Sequence, residues 1–285
     1  MPAAAVEAPL LAWLLETLKP MNRTRVKQLL KHGSISVNGL PTTKHDHPLK
    51  PGDRVTIARG GEAADRSLEK AKIVILYEDD ALIAIDKPAG LLTVATEAER
   101  TDTAFARLKT HLATRDLGRP FVVHRLDRDT SGLMLFARTA EARDQFQEAW
   151  ETVTKTYLAV VEGQPRQAEG TIENFLAEGD DYRVRVCREG DANAKKAVSR
   201  YRVLKTKERF SLIEVELVTG RKHQIRVHLK GLACPIIGDP LYGKAANPAN
   251  RLGLHAARLS FTHPLTGERV QLESPLPYAL RRICE

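Results

Sequence analysis

From residue 73 to the C-terminus, short runs of β-branched and other apolar residues recur with turn residues between them. They fall at Ile73 to Tyr77, Leu82 to Ile85, 132–138, 155–162, 182–187, 197–204, 209–218 and 257–261. Runs of this length and composition suit strands better than helices. Their hairpin-like order favours pairing between neighbours and argues against a regular βαβ array. The spacing predicts an α+β fold for this part: a mixed, largely antiparallel sheet flanked by helices. Two of those helices are predicted at Thr103 to Leu112 and Ala140 to Trp150.

The first 60 residues have a different grammar. Leu10, Leu11, Leu14, Leu15 and Leu18 form a helical stripe that Pro20 ends. Asn22 suits the N-cap of a second helix, about Thr24 to His32, with Val26, Leu29 and Leu30 on its apolar face and Gly33 at its close. Arg23, Lys27 and Lys31 recur every four residues on another face. Ile35 and Val37 then run into Asn38-Gly39, a strong hairpin signal, and Pro51-Gly52-Asp53 turns into a strand over 54–58. The organisation predicted is a small α/β domain over 1–60, a polar linker over 61–72, and a large domain over 73–285.

Charge divides the same way. Residues 1–60 carry nine Lys and Arg against four acids, so +5 of the formal net charge of +8 lies in about a fifth of the chain. A basic module beside a nearly neutral one either binds a polyanion or is simply a solvated surface. No apolar run reaches the 18 residues of a spanning helix, and no secretory leader is recognisable. Three scattered cysteines (Cys187, Cys234, Cys284) offer no disulfide framework. These features predict a cytoplasmic protein. Gly243-Lys244 is followed by Ala245, so no phosphate-cradling loop forms there, and no Gly-x-Ser-x-Gly elbow occurs. His45 with His47, and His223 with His228, lack the spacing and carboxylate partners of a zinc set, so no metal site is predicted.

Three segments concentrate chemistry. Val122 to Met134 places His124-Arg125-Leu126-Asp127-Arg128-Asp129-Thr130-Ser131-Gly132 between apolar strands. This is either a charged turn whose Asp and Arg pair with each other or a site. In Val153 to Gly163, Tyr157 sits in a strand that reads as buried, where a core tyrosine with a satisfied hydroxyl is the ordinary explanation. In Leu217 to His228, Thr219-Gly220 ends a strand and Arg221 is predicted to open a helix with Ile225 and Leu229 inward. Arg221 then serves either a structural salt bridge or the orientation of a carboxylate.

Taken together, these segments resemble the RNA pseudouridine synthases of the RluA type. His124-Arg125-Leu126-Asp127 with Asp129-Thr130-Ser131-Gly132 is similar to that family's catalytic loop, Thr156-Tyr157-Leu158 to its second motif, and Thr219-Gly220-Arg221 with His223-Gln224-Ile225-Arg226 to its third. Asp86-Lys87-Pro88 with Gly90, and Gly238-Asp239 with Leu241-Tyr242-Gly243, extend the likeness over roughly 73–285. The N-terminal region resembles the small RNA-binding domain of a ribosomal small-subunit protein, through Asn22-Arg23-Thr24-Arg25, Gly33, Val37-Asn38-Gly39 and Gly52-Asp53. It departs from that domain at the opening of its first helix, where Ala12-Trp13-Leu14-Leu15 stands.

The resemblance implies an isomerase that needs no cofactor. It cuts a uridine's base from the ribose at nitrogen, turns it, and rejoins it through carbon 5. Asp127 is implied as the catalytic carboxylate, either attacking the ribose or removing its 2′ proton. Arg221 would be its cation, and Tyr157 would stack on the uracil and assist at carbon 5. The base must be flipped from its stack, with His124 and Arg125 filling the space or holding phosphates. Arg23, Arg25, Lys27 and Lys31 would grip the surrounding RNA. The implied substrate is ribosomal RNA, chiefly of the large subunit, with transfer RNA the alternative. The chain would act as a monomer with no obligate protein partner. Two other classes compete. A non-catalytic RNA-binding assembly factor would have no need of Asp127, Tyr157 and Arg221. A glycosidase using Asp127 and Asp129 would need a wider carboxylate separation than adjacent loop residues provide.

Overall fold

The computed structural model describes residues 8–19, 21, 23–31, 35–57, 67–97, 99–115, 117–243 and 246–285. It omits the side chains of Thr24, Arg25, Gln28 and Lys31. Two compact units emerge. The first comprises Met1–Lys72 with Ala106–Arg119, and the second Ile73–Phe105 with Pro120–Glu285. The segment 106–119, expected with the large domain, thus groups with the first unit, where Arg107 Nη1 donates to Ser67 O (3.0 Å).

In the first unit, strand β1 (Ala8–Pro9) leads into helix α1 (Leu10–Thr17), followed by helix α2 (Arg23–Lys31). Strands β2 (Ile35–Val37), β3 (Leu40–Pro41), β4 (Pro48–Leu49) and β5 (Val55–Ile57) come next. β2 is central in the order β3-β2-β5, and β1 pairs β4. The hairpin turn has positive φ at both Asn38 (50°) and Gly39 (82°), as a primed turn requires. Asn38 is held there by donating to Asp53 Oδ1 (2.8 Å) and accepting from the Arg54 amide (2.9 Å). Leu10, Leu14, Val26, Leu30, Ile35, Leu49 and Val55 close the core. The helix boundaries expected at Pro20, Asn22 and Gly33, and the first half of the 61–72 linker, lie outside the described residues.

The second unit is built on an eleven-stranded sheet. Its strands are β6 (Val74–Glu78), β7 (Leu82–Lys87), β8 (Phe121–Val122), β9 (Ser131–Ala137), β10 (Thr154–Glu162), β11 (Glu169–Glu178), β12 (Val184–Cys187), β13 (Lys195–Lys207), β14 (Phe210–Leu217), β15 (Leu254–Thr262) and β16 (Arg269–Glu273). They run in the order β12-β11-β13-β14-β10-β15-β9-β7-β6, with β16 beside β15 and β8 beside β9. Helices α3 (Ala104–Thr114), α4 (Ala140–Glu148), α5 (Gln224–Gly231) and α6 (Tyr278–Cys284) complete the chain. β11, β16 and α6 escape the sequence pattern. β11 carries Glu169, Thr171 and Glu173 on its open face, places Gly170 and Asn174 on the covered one, and buries only Leu176 fully, so its apolar content is too low to read as a strand.

Every sheet ladder is antiparallel except β9 with β15, which is parallel and short: His255 pairs Ser131 and Ala256 pairs Gly132. Gly132 is required at this seam. Its φ is +112°, and a Cβ there would stand 2.2 Å from Ala256 O. Ala256 also pairs Tyr157 of β10, where the ladder shifts register between Thr156 and Tyr157. A bulge of this kind re-aims a side chain. The register therefore sets Tyr157 two strands from Gly132, at the end of the polar loop 123–130.

Candidate active site

The loop 123–130 is moored from below. The Lys87 side chain is fully buried, and its ammonium donates to Pro88 O, Leu91 O and Arg128 O at 2.8–3.0 Å. Gly90 N also donates to Arg128 O (2.9 Å), and Thr93 Oγ1 donates to Leu126 O (2.8 Å). The Asp86-Lys87-Pro88-Ala89-Gly90 turn is thus the floor that holds the loop's shape. Leu126 and Thr130 point inward and anchor it.

Within the loop, Arg128 and Asp129 pair with each other (Nε to Oδ1, 3.0 Å) at the surface. The self-pairing of a charged turn is therefore satisfied by those two, and Asp127 is left out of it. Asp127 instead lines a cavity of about 560 Å³ together with His124, Arg125, Tyr157, Arg221, His223 and Arg226. Its carboxylate is 35% exposed, open enough for a ligand to reach.

The cation expected from Arg221 comes instead from Arg226. Arg226 Nη1 lies 3.7 Å from Asp127 Oδ2, and its side chain is only 6% exposed. Arg221 is exposed, and its Nε donates to Lys196 O (3.0 Å). The reason is local. Arg221 does not open the helix but sits in the turn before it, and α5 begins at Gln224. The buried Gln224 ties that turn down, accepting from Arg221 N (3.0 Å) and Thr219 Oγ1 (2.8 Å) while donating to Ser199 Oγ and Val198 O. Arg226, in the first turn of α5, points back under the loop. Its guanidinium is gripped by Asp239 through two parallel hydrogen bonds (2.8 and 2.7 Å) and lies over the Tyr242 ring. Burial would raise the Asp239 carboxyl, but the bonds and charge of Arg226 outweigh it and hold it below the usual carboxylate range. Asp239 is in turn fixed by the Leu241 and Tyr242 amides.

Tyr157 is half-buried and shares the cavity with Asp127. Burial, reinforced by the Asp127 charge, pushes its phenol well above the ordinary value, so it stays protonated at neutral pH. Arg125 is exposed on the cavity wall. His124 is not a cation there. Its Nε2 accepts from the Leu135 amide (2.9 Å), its ring stacks on Trp150, and burial pushes it down to about 3. It supplies an uncharged aromatic wall, which suits filling space beside a flipped base better than holding a phosphate. Of the first-unit cations, Arg23 and Lys27 are exposed on α2 and line a separate cavity with Leu11, Leu30, Thr43 and His45. Arg25 and Lys31 side chains lie outside the described residues.

Sequence reasoning quoted Arg226, His223 and Asp239 within motifs without giving them roles. All six residues from Gln224 to Leu229 are buried, so the helical period carries no mark separating Arg226 from its apolar neighbours. The one available signal was Asp239, an acid thirteen residues on that an otherwise buried arginine would need.

Two more imidazoles are neutral and directed. His228 accepts from Ser199 and donates to Asn174, and His255 accepts from Ser131 and donates to Ser274 O. Burial pushes both down to about 4. With His124, they stay uncharged in the fold but take a proton near pH 6.5 once unfolded. Stability is then full above pH 6.5 and is lost as pH falls toward 4, because only the unfolded chain gains those protons. At pH 5 each costs about 2 kcal/mol. Calorimetry is expected to show the second unit melting about 12–24 °C lower at pH 5 than at pH 7.5; an unchanged melting temperature would contradict neutral burial.

The large mixed sheet thus carries a moored loop carboxylate, a buried Arg226–Asp239 pair and a tyrosine at one cavity, and comparison with known proteins identifies the class. Residues 81–230 match the family described as RNA pseudouridylate synthase. An uncharacterized RNA pseudouridine synthase of Bacillus subtilis, YlyB, is 36% identical over 96% of this chain and 92% of its own length. Ribosomal large subunit pseudouridine synthase D of Neisseria meningitidis is 35% identical over 93% of this chain and 75% of its own. The solved structure of human RNA pseudouridylate synthase domain containing 4 superposes with a TM-score of 0.63 at 28% identity, covering 78% of this chain and 94% of that one. The chain belongs to the RNA pseudouridylate synthase family, isomerases that act on RNA. Among the described residues no helix is long and apolar enough to cross a membrane.

Proposed function

We propose that this protein converts uridine to pseudouridine in ribosomal RNA of the large subunit, with Asp127 as the catalytic carboxylate. The observation that carries the reading is the placement of Asp127. It is the loop acid left unpaired by its neighbours, 3.7 Å from a buried guanidinium and in one cavity with a protonated tyrosine. A guanidinium at that distance offsets the negative charge that either role of the carboxylate requires. The bond from ribose C1′ to uracil N1 breaks and one from C1′ to C5 forms, while the C5 proton leaves and N1 regains a proton. Asp127 either attacks C1′ or removes the 2′ proton. Tyr157 stacks on the detached ring, and its hydroxyl assists at C5.

Arg125 holds phosphates beside the flipped nucleotide, with the His124–Trp150 stack as an uncharged wall. The basic N-terminal domain, residues 1–60, binds RNA through Arg23, Arg25, Lys27 and Lys31. The chain works in the cytoplasm as a monomer without a cofactor. The large-subunit assignment is supported by relatives named for that substrate.

The test is release of tritium from uracil C5 in unmodified transcripts of large-subunit RNA, small-subunit RNA and transfer RNA. Release from large-subunit RNA alone is expected. Release from transfer RNA alone would move the substrate, and binding without any release would favour a non-catalytic assembly factor.

A further inference from the structure

Asp127 Oδ2 has a second neighbour besides Arg226. His223 Nε2 also lies 3.7 Å away. The imidazole is 10% exposed and reaches back through its other nitrogen to Tyr242, whose hydroxyl stands 2.8 Å from Nδ1. That hydroxyl already accepts from the Val184 amide (2.8 Å). A backbone N–H only donates, so the phenol oxygen receives there and its proton is free for Nδ1. An Nδ1 that accepts leaves the proton of a neutral ring on Nε2, aimed at Asp127. The Val184 amide takes one lone pair of the phenol oxygen, and a Tyr242 proton given to Nδ1 completes a chain Val184 → Tyr242 → His223 → Asp127.

Two further facts show that the arrangement is built. His223 adopts φ +53°, a left-handed conformation rare for a side chain with a Cβ, and this turn immediately before α5 brings the ring over the loop. Burial, partly offset by Asp127, also holds the imidazole below its ordinary value, so the ring is neutral at pH 7 with Lys222, Arg226 and Asp239 around it. Among the described residues, Tyr242 has the same dual use. Its ring supports the Arg226 guanidinium and its hydroxyl stands 2.8 Å from His223 Nδ1.

We propose that His223, oriented by Tyr242, is a positioning residue for Asp127. Its Nε2–H and the Arg226 guanidinium hold one carboxylate oxygen and leave the other free for the ribose. The proposal rests on Asp127 being the catalytic carboxylate, and its test separates the two claims. Long-range ¹H–¹⁵N spectra of the full-length protein labelled at histidine nitrogen, with His223 identified by its loss in His223→Gln, are expected to show the Nε2–H tautomer at pH 7.5 and a tautomer mixture in Tyr242→Phe. A charged ring or an Nδ1–H tautomer in the wild type would overturn the relay, whatever the activity.

In the tritium assay, His223→Ala is expected to lower kcat by about 10- to 100-fold with KM nearly unchanged. His223→Gln restores most of it, because its amide N–H can stand where Nε2–H stood. Tyr242→Phe lowers kcat in the wild-type background but not on top of His223→Gln. Equal loss in the Ala and Gln variants, or an effect on KM alone, would reduce His223 to a packing residue. A wild type that releases no tritium would defeat the isomerase reading and leave the tautomer measurement to decide the relay.

Discussion

Asp127→Asn is expected to abolish tritium release, lowering the single-turnover rate by about 10³-fold or more. The substitution keeps the size and shape of the side chain, and the loop is moored by Lys87, Gly90 and Thr93 through groups that do not involve Asp127's carboxylate. The fold should therefore persist, which an unchanged melting temperature would confirm. An amide has no charge with which to attack C1′ and is too weak a base to take the 2′ proton, so both routes fail together. RNA affinity should hold or rise, because a negative charge is removed from a cavity walled by Arg125, Arg221 and Arg226. Substantial residual release would move the chemistry off Asp127, and Asp129→Asn would then be the next variant to assay.

The largest effect on stability is expected from Asp239→Ala. It strands the Arg226 guanidinium, 6% exposed, without its two short hydrogen bonds. Breaking a buried pair by removing one partner costs about 3–5 kcal/mol, because the remaining charge stays desolvated. The urea midpoint should fall accordingly. Activity should fall as well, since an arginine released from Asp239 closes on Asp127 and covers the oxygen that must act. Asp181→Ala is the contrast. Asp181 and Arg185 approach to 2.6 Å, yet both are about half exposed, and the midpoint should barely move. If the two variants behaved alike, the buried pair would not be the keystone under the loop.

Much of this could be read before any coordinates. The Asn38-Gly39 hairpin follows from two residues that tolerate positive φ, and the strands of the sheet follow from β-branched runs. Asp127 and Tyr157 were legible because their motifs combine a dense polar cluster with apolar strands, and both line the one cavity. Arg221 was the natural choice of cation from the chain alone, since it follows a strand end directly. The displacement of that role to Arg226 depended on where α5 starts, and that was decided by Gln224 bonding to Thr219 and Ser199, residues from three separate elements. His124 reads as a titratable group on paper, but its burial against Trp150 and the Leu135 amide removes its charge.

The sequence by itself determined many local conformations, the strand-rich fold class and the family, and it singled out Asp127 as the candidate carboxylate, because each rests on residue types and short-range spacing. Only the tertiary structure decided which buried cation lies beside Asp127 and which histidine faces it. Those depend on charges and hydrogen bonds between residues far apart in the chain: Asp127 with Arg226 and His223, Arg226 with Asp239, His223 with Tyr242. A pair in contact stabilises or costs according to distance and burial, and neither quantity exists until the sheet has brought its strands together.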